Sequence, residues 1–497
     1  MIGNFSEGIL SFWDSLPLHP TTWDFVSWYF LYFAEWAVRI VMLFVLVVNP
    51  RRRKPSSTMA WLLVIFFQPW FGLVLYMLIG RTRLPNDRWQ QHAFVNEQIK
   101  ELSKAFKQTP GLVHEELPDE FRDVVTLAEQ LGNMPILGGN QAELICDTDE
   151  AISRLIVDID QATAHVHLLF YMFADDQTGR KVVEALRRAV ERGVECRVLM
   201  DAVASRPTLK SLAHQMRDAG IEVYAVLPVR FIRGRADIRN HRKVAVIDGH
   251  TGYTGSQNIV DADYGHKDLA WHDMMIRLSG PVVLQLQAVF ASDWFFESKQ
   301  KLSSENYFPE PIVTGDTAVQ TLPSGPSFPT ENYQYMVVNA LYGANSRVTI
   351  TTPYFVPDEP FLQAIQTAVL RGVKVEIVVP NRSDQVLVGA ASRSYYDSLL
   401  EAGVDLYLYQ PGLLHSKTMS IDDSLALIGS SNFDIRSFAI NFEINLLFYD
   451  ADVTRRLRIE QHQYISDSIL LTAKDWRNRS ALQRMAQNVA KLLSPLL

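Results

Sequence analysis

The segment HRKVAVID at residues 241–248 occurs a second time in this chain of 497 residues, as HSKTMSID at residues 415–422. Both copies read H-x-K-x-x-x-x-D, and they lie 174 residues apart. A further match, GSQN at 255–258 with GSSN at 429–432, has the same displacement of 174 residues. Two gapless matches at one displacement indicate an internal duplication.

The similarity continues upstream of the two motifs. Residues 166–173 and 347–356 have the composition of buried strands, and each is followed by a helical stretch that ends in Arg-Gly-Val. Each copy then enters another apolar strand, at 196–200 and 375–379. Strands that alternate with helices of about 15 residues predict an α/β sandwich in each repeat.

The Ser/Pro/Gly-rich stretch 298–330 is interpreted as the linker between the repeats. This places the first repeat at 135–300, with its motif at 241–258, and the second at 320–497, with its motif at 415–432. We expect the two repeats to pack as a pseudo-twofold pair.

The histidine and lysine of each motif are two residues apart on a predicted strand, so their side chains leave the same face. A neutral imidazole can attack phosphorus, and an ammonium beside it can neutralise charge on the phosphoryl oxygens. Two copies supply His241 with Lys243 and His415 with Lys417. One histidine can be the nucleophile and the other the general acid, as double displacement at a phosphodiester requires.

The G-S-x-N turns are expected to add hydrogen bonds to the phosphoryl oxygens through Ser256, Asn258, Ser430 and Asn432. The sequence contains no Asp/Glu cluster with magnesium-binding spacing. We therefore expect the two lysines to act in place of a metal, and we predict neither a metal nor another cofactor.

Asp248 and Asp422 end the two motifs and are placed with the catalytic set on that ground. Parity argues otherwise, because residues five beyond a lysine face the other side of a continuing strand and adjoin turn-like sequence. A structural role is therefore expected for them. Asp273 and Glu443 are the candidates for orienting the imidazoles. We expect Asp273 to pair with His241 and Glu443 with His415.

Two apolar stretches precede the repeats. Residues 25–48 are interrupted only by Glu35 and Arg39, which lie four apart and can form an ion pair. Residues 59–79 carry no formal charge, and a kink is expected at Pro69 and Gly72. Since about 20 apolar residues cross a bilayer as a helix, the two stretches predict a transmembrane hairpin.

The polar, helix-prone connector is placed at 81–134. The basic cluster 51–54 favours a cytoplasmic loop, whereas Arg81, Arg83 and Arg88 favour the opposite orientation, so the side of the catalytic region stays open. In the tail, Leu482, Met485, Val489 and Leu492 follow a helical period. The simplest interpretation is a packing helix, with membrane contact as the alternative.

The composition of the chain limits which binding partners and cross-links are expected. The net charge of −8 argues against nucleic acid as a partner. With only two cysteines, Cys146 and Cys196, a disulfide framework is excluded. The oligomeric state stays open, with a homodimer as one option.

The duplicated motif with its G-S-x-N turn resembles the phospholipase D superfamily. Four further features are similar to bacterial cardiolipin synthases: the paired apolar stretches with MAWLL at 59–63, TPYFVPD at 352–358, PSGP at 323–326 and NFDIRS at 432–437. The resemblance covers nearly the whole chain. It implies an enzyme of the bacterial inner membrane that converts two phosphatidylglycerols into cardiolipin and glycerol through a phosphatidyl-histidine, without a metal. It also implies that His241 is the nucleophile and His415 the acid.

Three alternatives use the same residues differently. The first is a phospholipase D that hydrolyses phosphatidyl esters, with water as the second nucleophile. The second is a membrane-tethered nuclease, which the acidic charge disfavours. The third is an inactive lipid-binding protein, which the two complete motifs disfavour. The repeats also differ after their turns, because Ile259 follows Asn258 where Phe433 follows Asn432. An asymmetric acceptor pocket is therefore expected.

Overall fold

The structure is a computed structural model. It describes residues 22–48, 55–80, 84, 86–109, 112–113, 121–229, 235–265 and 268–494. The chain divides into two compact units, one of Met1–Arg83 with Arg230–Asp237 and one of Leu84–Val229 with Ile238–Leu497. The basic cluster 51–54 and the residues Arg81 and Arg83, which bear on topology, lie outside the described residues.

The first unit contains one long apolar helix, α1 (Thr22–Val48), followed by α2 (Pro55–Phe67), α3 (Pro69–Leu75) and a π-helical turn, Tyr76–Gly80. In α1, residues Ser27–Val48 are long and apolar enough to cross a membrane. The expected ion pair is present, with Arg39 Nη1 3.2 Å from Glu35 Oε2. Neutralising both charges in this way lowers the cost of placing them in an apolar helix.

The second apolar stretch is not one continuous helix. Gln68 leaves helical geometry, with φ −137° and ψ 76°, and Pro69 begins α3. Gln68 still bonds to the helix on either side, because its amide donates to the Val64 carbonyl at 2.9 Å and its carbonyl accepts from the Gly72 amide at 2.7 Å. Proline cannot donate within a helix, which explains why the interruption falls here. Neither α2 nor α3 is long enough to span a bilayer on its own.

Each of these short helices nevertheless packs on α1. Met42 and Leu46 of α1 bury against Ile65 of α2. Arg39 Nε also donates to the carbonyl of Phe66 at 3.0 Å.

The second unit begins with the connector, which folds as α4 (Asn86–Gln108) and α5 (Arg122–Gly132). The remaining helices are α6 (Thr148–Gln161), α7 (Gln177–Glu191), α8 (Arg206–Lys210), α9 (Leu212–Asp218), α10 (Val282–Ser298), α11 (Asn332–Gly343), α12 (Glu359–Leu370), α13 (Val386–Arg393), α14 (Tyr396–Ala402), α15 (Ile435–Ala439), α16 (Ala451–Ser466), α17 (Ala473–Arg477) and α18 (Ala481–Leu492).

The strands fall into two sets that match the two repeats. The first set is β1 (Leu137–Ile145), β2 (His165–Phe170), β3 (Glu195–Asp201), β4 (Glu222–Val226), β5 (Lys243–Ile247), β6 (Thr251–Gly255), β7 (Trp271–His272) and β8 (Met275–Ser279). The second set is β9 (Thr317–Ser324), β10 (Arg347–Thr351), β11 (Phe355–Val356), β12 (Lys374–Pro380), β13 (Asp405–Tyr409), β14 (Leu413–Leu414), β15 (Thr418–Ile421), β16 (Leu425–Gly429), β17 (Phe433–Asp434), β18 (Glu443–Tyr449) and β19 (Ser468–Leu470).

Both sets use one strand order. The first runs β1-β8-β6-β5-β2-β3-β4 and the second β9-β18-β16-β15-β10-β12-β13, with β19 added at the edge beyond β13. Because β1 pairs with β9, one mixed sheet of 15 strands results. In the shared order the last two pairings of each half are parallel and the others antiparallel, and β19 pairs antiparallel with β13. The expected α/β class is confirmed, although the repeats share a sheet and are not two separate sandwiches.

The linker prediction was partly wrong. Residues Thr317–Ser324 form β9, which is buried along its whole length. Pro323 lies in this strand opposite Ile444. The PSGP segment at 323–326 therefore leaves the strand only after Ser324. Proline and serine conceal the strand from composition-based prediction because both are typical of turns.

The tail folds as α17 and α18, and the orientation of α18 contradicts a packing role for its apolar residues. Its apolar positions face outward, with Leu482, Met485, Val489 and Leu492 between 53% and 80% exposed. Only Ala490 of this helix joins the core.

Candidate active site

His241 lies in extended backbone immediately before β5 and is buried. Its Nδ1 is 3.0 Å from both carboxylate oxygens of Glu443, which begins β18 in the other repeat. An ionised carboxylate only accepts hydrogen bonds, so the proton of the neutral ring is on Nδ1. The Nε2 lone pair is therefore the one available for attack on a substrate.

His415 occupies the corresponding place before β15. Its Nδ1 is 2.6 Å from Oδ1 of Asp273, which precedes β8 in the first repeat. The same reasoning puts the proton of His415 on Nδ1. Each histidine is thus oriented by a carboxylate from the opposite repeat.

The expected pairing within each repeat, Asp273 with His241 and Glu443 with His415, is wrong. In one repeat β5 and β8 are separated by β6, so a histidine and its own carboxylate stand about 10 Å apart across two strand spacings. Short bridges between the repeats bring the other carboxylate closer. Asn240 pairs with Phe442, and Leu414 pairs with His272, in each case one residue before the histidine and the carboxylate.

The two lysines are fully buried, and each donates to the carbonyl of its own histidine. Lys243 Nζ bonds the carbonyl oxygen of His241 at 2.6 Å, and Lys417 makes the same bond to His415. These bonds hold both ammonium groups beside the imidazoles. Each motif therefore presents a ring and a cation together.

The serines of the two G-S-x-N turns do not make the contacts that were expected of them. Ser256 Oγ donates to Asp273 at 2.6 Å, and Ser430 Oγ donates to Glu443. A hydroxyl has one proton, so these serines support the carboxylates and do not donate to a phosphate in this arrangement.

The two turn asparagines are buried beside the serines. Asn258 Oδ1 accepts from the backbone amide of Met172 at 3.1 Å. The backbone amide of Asn432 donates to the hydroxyl oxygen of Ser437 at 3.1 Å.

Asp248 and Asp422 bond neither imidazole nitrogen. Asp248 accepts the backbone amides of Thr163, Ala164 and His165 at 2.8 Å each. Asp422 accepts those of residues 345–347 at 2.7 to 3.0 Å. Both aspartates have positive φ, 52° and 47°, as a turn requires. Their placement with the catalytic set is thus corrected, because they brace the turn at the far end of the strand.

Burial controls protonation in the site. It lowers the pKa of His241 and of His415 to about 4, so both rings are neutral near pH 7. It also lowers the pKa of Lys243 to about 7 and that of Lys417 to about 8. Burial opposes ionisation of Asp273, but its interactions with His415 and Lys417 outweigh this and lower its pKa to about 2. The pKa of Glu443 is lowered too, because His241 and Lys243 outweigh its burial.

The two motifs interact electrostatically. Lys417 lowers the pKa of His241, and Lys243 lowers the pKa of His415. Among the described residues, no group of three His, Cys, Asp or Glu side chains could hold a metal ion.

Comparisons with known proteins identify the family of this chain. The family profile for the PLD-like domain of cardiolipin synthase matches residues 155–294 and 337–464. A second profile, for the N-terminal region of phospholipase D-nucleases, matches residues 37–81. Cardiolipin synthase A of Serratia proteamaculans is 36% identical over 487 residues, which cover 96% of this chain and 98% of the relative. The chain belongs to the cardiolipin synthase family.

Two further proteins are similar to this family member. Cardiolipin synthase A of Yersinia pseudotuberculosis is 36% identical, over 96% of this chain and 98% of that protein. The crystal structure of phosphatidylserine synthase from Haemophilus influenzae covers 76% of this chain and 100% of its own, with a TM-score of 0.58 and 16% identity. At that identity the match shows a shared fold.

This synthase-family site also contains residues that the sequence reasoning missed. Arg242, between His241 and Lys243, donates to Asp293 at 2.7 Å and to the backbone carbonyl of Glu443 at 3.1 Å. Asn240 donates to the same Asp293 at 2.9 Å. A signal was available, since Asp293 is an acidic residue close to apolar and aromatic residues in the largely apolar helix α10.

Aromatic rings cover the two histidines. The Tyr171 ring lies 4.7 Å from that of His241, and the Trp271 ring lies 4.5 Å from that of His415. These contacts limit the water that can approach either imidazole.

Proposed function

We propose that this chain is a cardiolipin synthase that transfers a phosphatidyl group from one phosphatidylglycerol to another, giving cardiolipin and glycerol. The observation that carries the proposal is the pair of crossed histidine-carboxylate contacts, His241 with Glu443 and His415 with Asp273, in a member of this family. Two neutral imidazoles, each with a free Nε2, provide one nucleophile and one proton carrier.

On this proposal, the two repeats form a pseudo-twofold pair around one active site. Support comes from their identical strand order and from the exchange of carboxylates between them. His241 and His415 would then flank a single phosphate. The domain limits proposed above, 135–300 and 320–497, divide the chain accordingly.

In the first step, Nε2 of His241 attacks the phosphorus of the donor lipid. A P–N bond forms, the P–O bond to glycerol breaks, and His415 gives its proton to the leaving alkoxide. Glu443 stabilises the imidazolium character that develops on His241. The phosphodiester anion between the rings favours the proton on His415 that this step requires.

In the second step, the terminal hydroxyl of another phosphatidylglycerol attacks the phosphatidyl-histidine. His415 takes the hydroxyl proton, a new P–O bond forms and the P–N bond breaks. Both proton transfers use the same ring, so the site returns to its starting state. Lys243 and Lys417 neutralise the phosphoryl oxygens throughout, in the role that a divalent cation fills elsewhere.

We also propose that α1 and the α2–α3 segment form a two-span hairpin in the bacterial inner membrane. The packing of Met42 and Leu46 on Ile65 supports this arrangement, as does the bond from Arg39 to Phe66. Backbone bonds that continue past Gln68 support passage of α2 and α3 as one kinked span.

The test is product analysis by thin-layer chromatography. Purified full-length protein, incubated with phosphatidylglycerol in mixed micelles, should form cardiolipin and one glycerol for each cardiolipin, with EDTA present. Phosphatidic acid as the main product would establish a hydrolase instead. The variant His415→Ala should form neither product, which excludes a contaminating enzyme, and Asn306→Ala on an exposed loop is the matched control.

A further inference from the structure

Helix α18 has its amphipathic sides reversed relative to a normal surface helix. Leu482, Met485, Val489 and Leu492 recur every three or four residues and form one stripe. These four side chains, which we name the outer stripe, are exposed. The side that packs on the protein is small or polar and includes Ala490, which contacts the core. Burial within the chain therefore does not explain the outer stripe.

The helix is stably built despite this exposure. Ser480 and Gln483 form a complete capping box at its start. Its packed side meets α13, and Lys491 lies 4.6 Å from the Tyr395 ring. The outer stripe is thus held on a fixed support and points away from the core.

Charge indicates what could cover this stripe. The chain has a net charge of −8, yet the segment 473–494 contains five basic residues and one acidic residue. Arg484 is exposed on this helix, and long basic side chains beside an apolar stripe can reach lipid phosphates. A second copy of the same helix would bring like charges together. An anionic bilayer surface complements both the apolar and the basic parts.

The apolar surface continues onto α13, which packs on α18, since Val386 at the start of α13 is 88% exposed. Just before α13, Asp384 accepts a hydrogen bond from Tyr354 at 2.6 Å.

We propose that α18 lies in the headgroup layer of an anionic bilayer, with the outer stripe in the acyl region. This contact is separate from the membrane-spanning helices. The contact is independent of the reaction that the site performs.

Depth-dependent fluorescence quenching tests this directly in the full-length protein. A single cysteine replaces Met485 in a background without Cys146 and Cys196, carries an NBD label, and is reconstituted in phosphatidylglycerol vesicles that contain doxyl-labelled lipid. We expect strong quenching by lipid labelled near the headgroup end of the acyl chain, because the apolar face of an interfacial helix lies at that depth. The matched control places the label at Val157 on α6, which is also exposed, and quenching there should be small.

Three outcomes would overturn the proposal. Equal quenching at both positions would show that the dye itself enters the bilayer. No quenching, with a blue shift that grows with protein density, would show that a second copy covers the stripe. Equal quenching in phosphatidylcholine vesicles would remove the role of charge. None of these readouts depends on turnover, so they are separable from a failure of the proposed reaction.

A second measurement uses the variant Leu482→Glu with Val489→Glu. It should lose about tenfold of its rate on phosphatidylglycerol in vesicles and keep its rate in detergent micelles, because only the vesicle presents a surface. Equal rates of variant and parent on vesicles would contradict the proposal.

Discussion

The two repeats have the same strand order and the same reacting groups, but they support those groups differently. Behind His241 lies a buried ion pair between Arg242 and Asp293, and Glu443 receives hydroxyl bonds from both Ser430 and Ser437. Behind His415 the position of Arg242 is occupied by Ser416, whose hydroxyl lies 3.4 Å from that of Thr351.

The segments after the G-S-x-N turns show the same divergence. In the second repeat, Asp434 caps α15 and positions Ser437 beside Glu443. In the first repeat, Asp261 instead accepts the backbone amide of Thr178 at the start of α7. Duplication has therefore kept the histidine, lysine and carboxylate of each half and changed the residues that hold them. The more elaborate support surrounds His241, the ring proposed to form the covalent bond.

Loss of a histidine should have the largest effect. His241→Ala and His415→Ala should each lower kcat by about 10⁵-fold or more, because each removes a group that acts in both steps. Radiolabelled lipid distinguishes the roles of the two histidines. On brief incubation His415→Ala should retain some covalent phosphatidyl label and His241→Ala none. The reverse pattern would assign the nucleophile to the second repeat.

The crossed carboxylates come next. Glu443→Gln and Asp273→Asn should each lower kcat by about 10³ to 10⁴-fold, since the amide removes the charge that supports an imidazolium. Glu443→Gln, like His241→Ala, should suppress formation of the covalent intermediate. Near-normal turnover of both variants would contradict the orienting role.

The motif aspartates serve as the matched control for these variants. Asp248→Ala and Asp422→Ala should mainly lower stability, by about 1 to 3 kcal/mol each, because three backbone amides at each turn lose a charged acceptor. The measurement is the shift in Tm in detergent. A fall in kcat as steep as that of Glu443→Gln, with Tm unchanged, would restore the aspartates to the catalytic set.

The Arg242–Asp293 pair should matter only to the first repeat. Asp293→Asn leaves Arg242 with an uncompensated buried charge and should cost about 3 to 5 kcal/mol in unfolding free energy. Ser416→Ala, at the matching position, should cost about 1 kcal/mol or less. The double variant Arg242→Met with Asp293→Asn should lose less than the sum of the two single variants. Additive losses would show that the pair is not coupled.

The pH profile should give the smallest effect. Burial lowers the pKa of Lys243 to about 7 and that of Lys417 to about 8. As pH rises past 7 Lys243 loses its proton, and past 8 Lys417 does too, so kcat/KM should fall by about tenfold for each unit at first and by about a hundredfold for each unit above pH 8. Arginine stays charged, so Lys417→Arg should leave the start of this limb near pH 7, where Lys243 sets it, and reduce the slope above pH 8 to about tenfold for each unit. A profile that is flat from pH 6 to 9 would contradict these pKa shifts.

Much of the fold followed from local patterns. The predicted strands at 196–200 and 375–379 are the interiors of β3 and β12, because apolar runs of that length have few alternatives. The histidines, however, sit just before β5 and β15 and not within them. Strand β9 escaped prediction because Pro323 and Ser324 carry turn propensity that tertiary pairing overrides.

Other features depend on contacts that no local pattern contains. Which carboxylate reaches His241 is decided by the order of strands in the sheet and by the bridge at Asn240 and Phe442. Periodicity likewise identified α18 as amphipathic, but an apolar stripe does not specify whether it faces the core or the solvent. That direction became visible only in the exposed side chains of Met485 and Leu492.

The exchange of carboxylates between repeats also bears on the synthesis of the protein. Chains emerge from the ribosome with the N-terminal domain first, so His241 is made long before its partner Glu443. Until β18 has been translated, the nucleophile has no group to hold its proton on Nδ1. A nascent or prematurely terminated chain, even one already at the membrane, would therefore be catalytically inactive. On the proposed mechanism, activity begins only when nearly the whole message has been read.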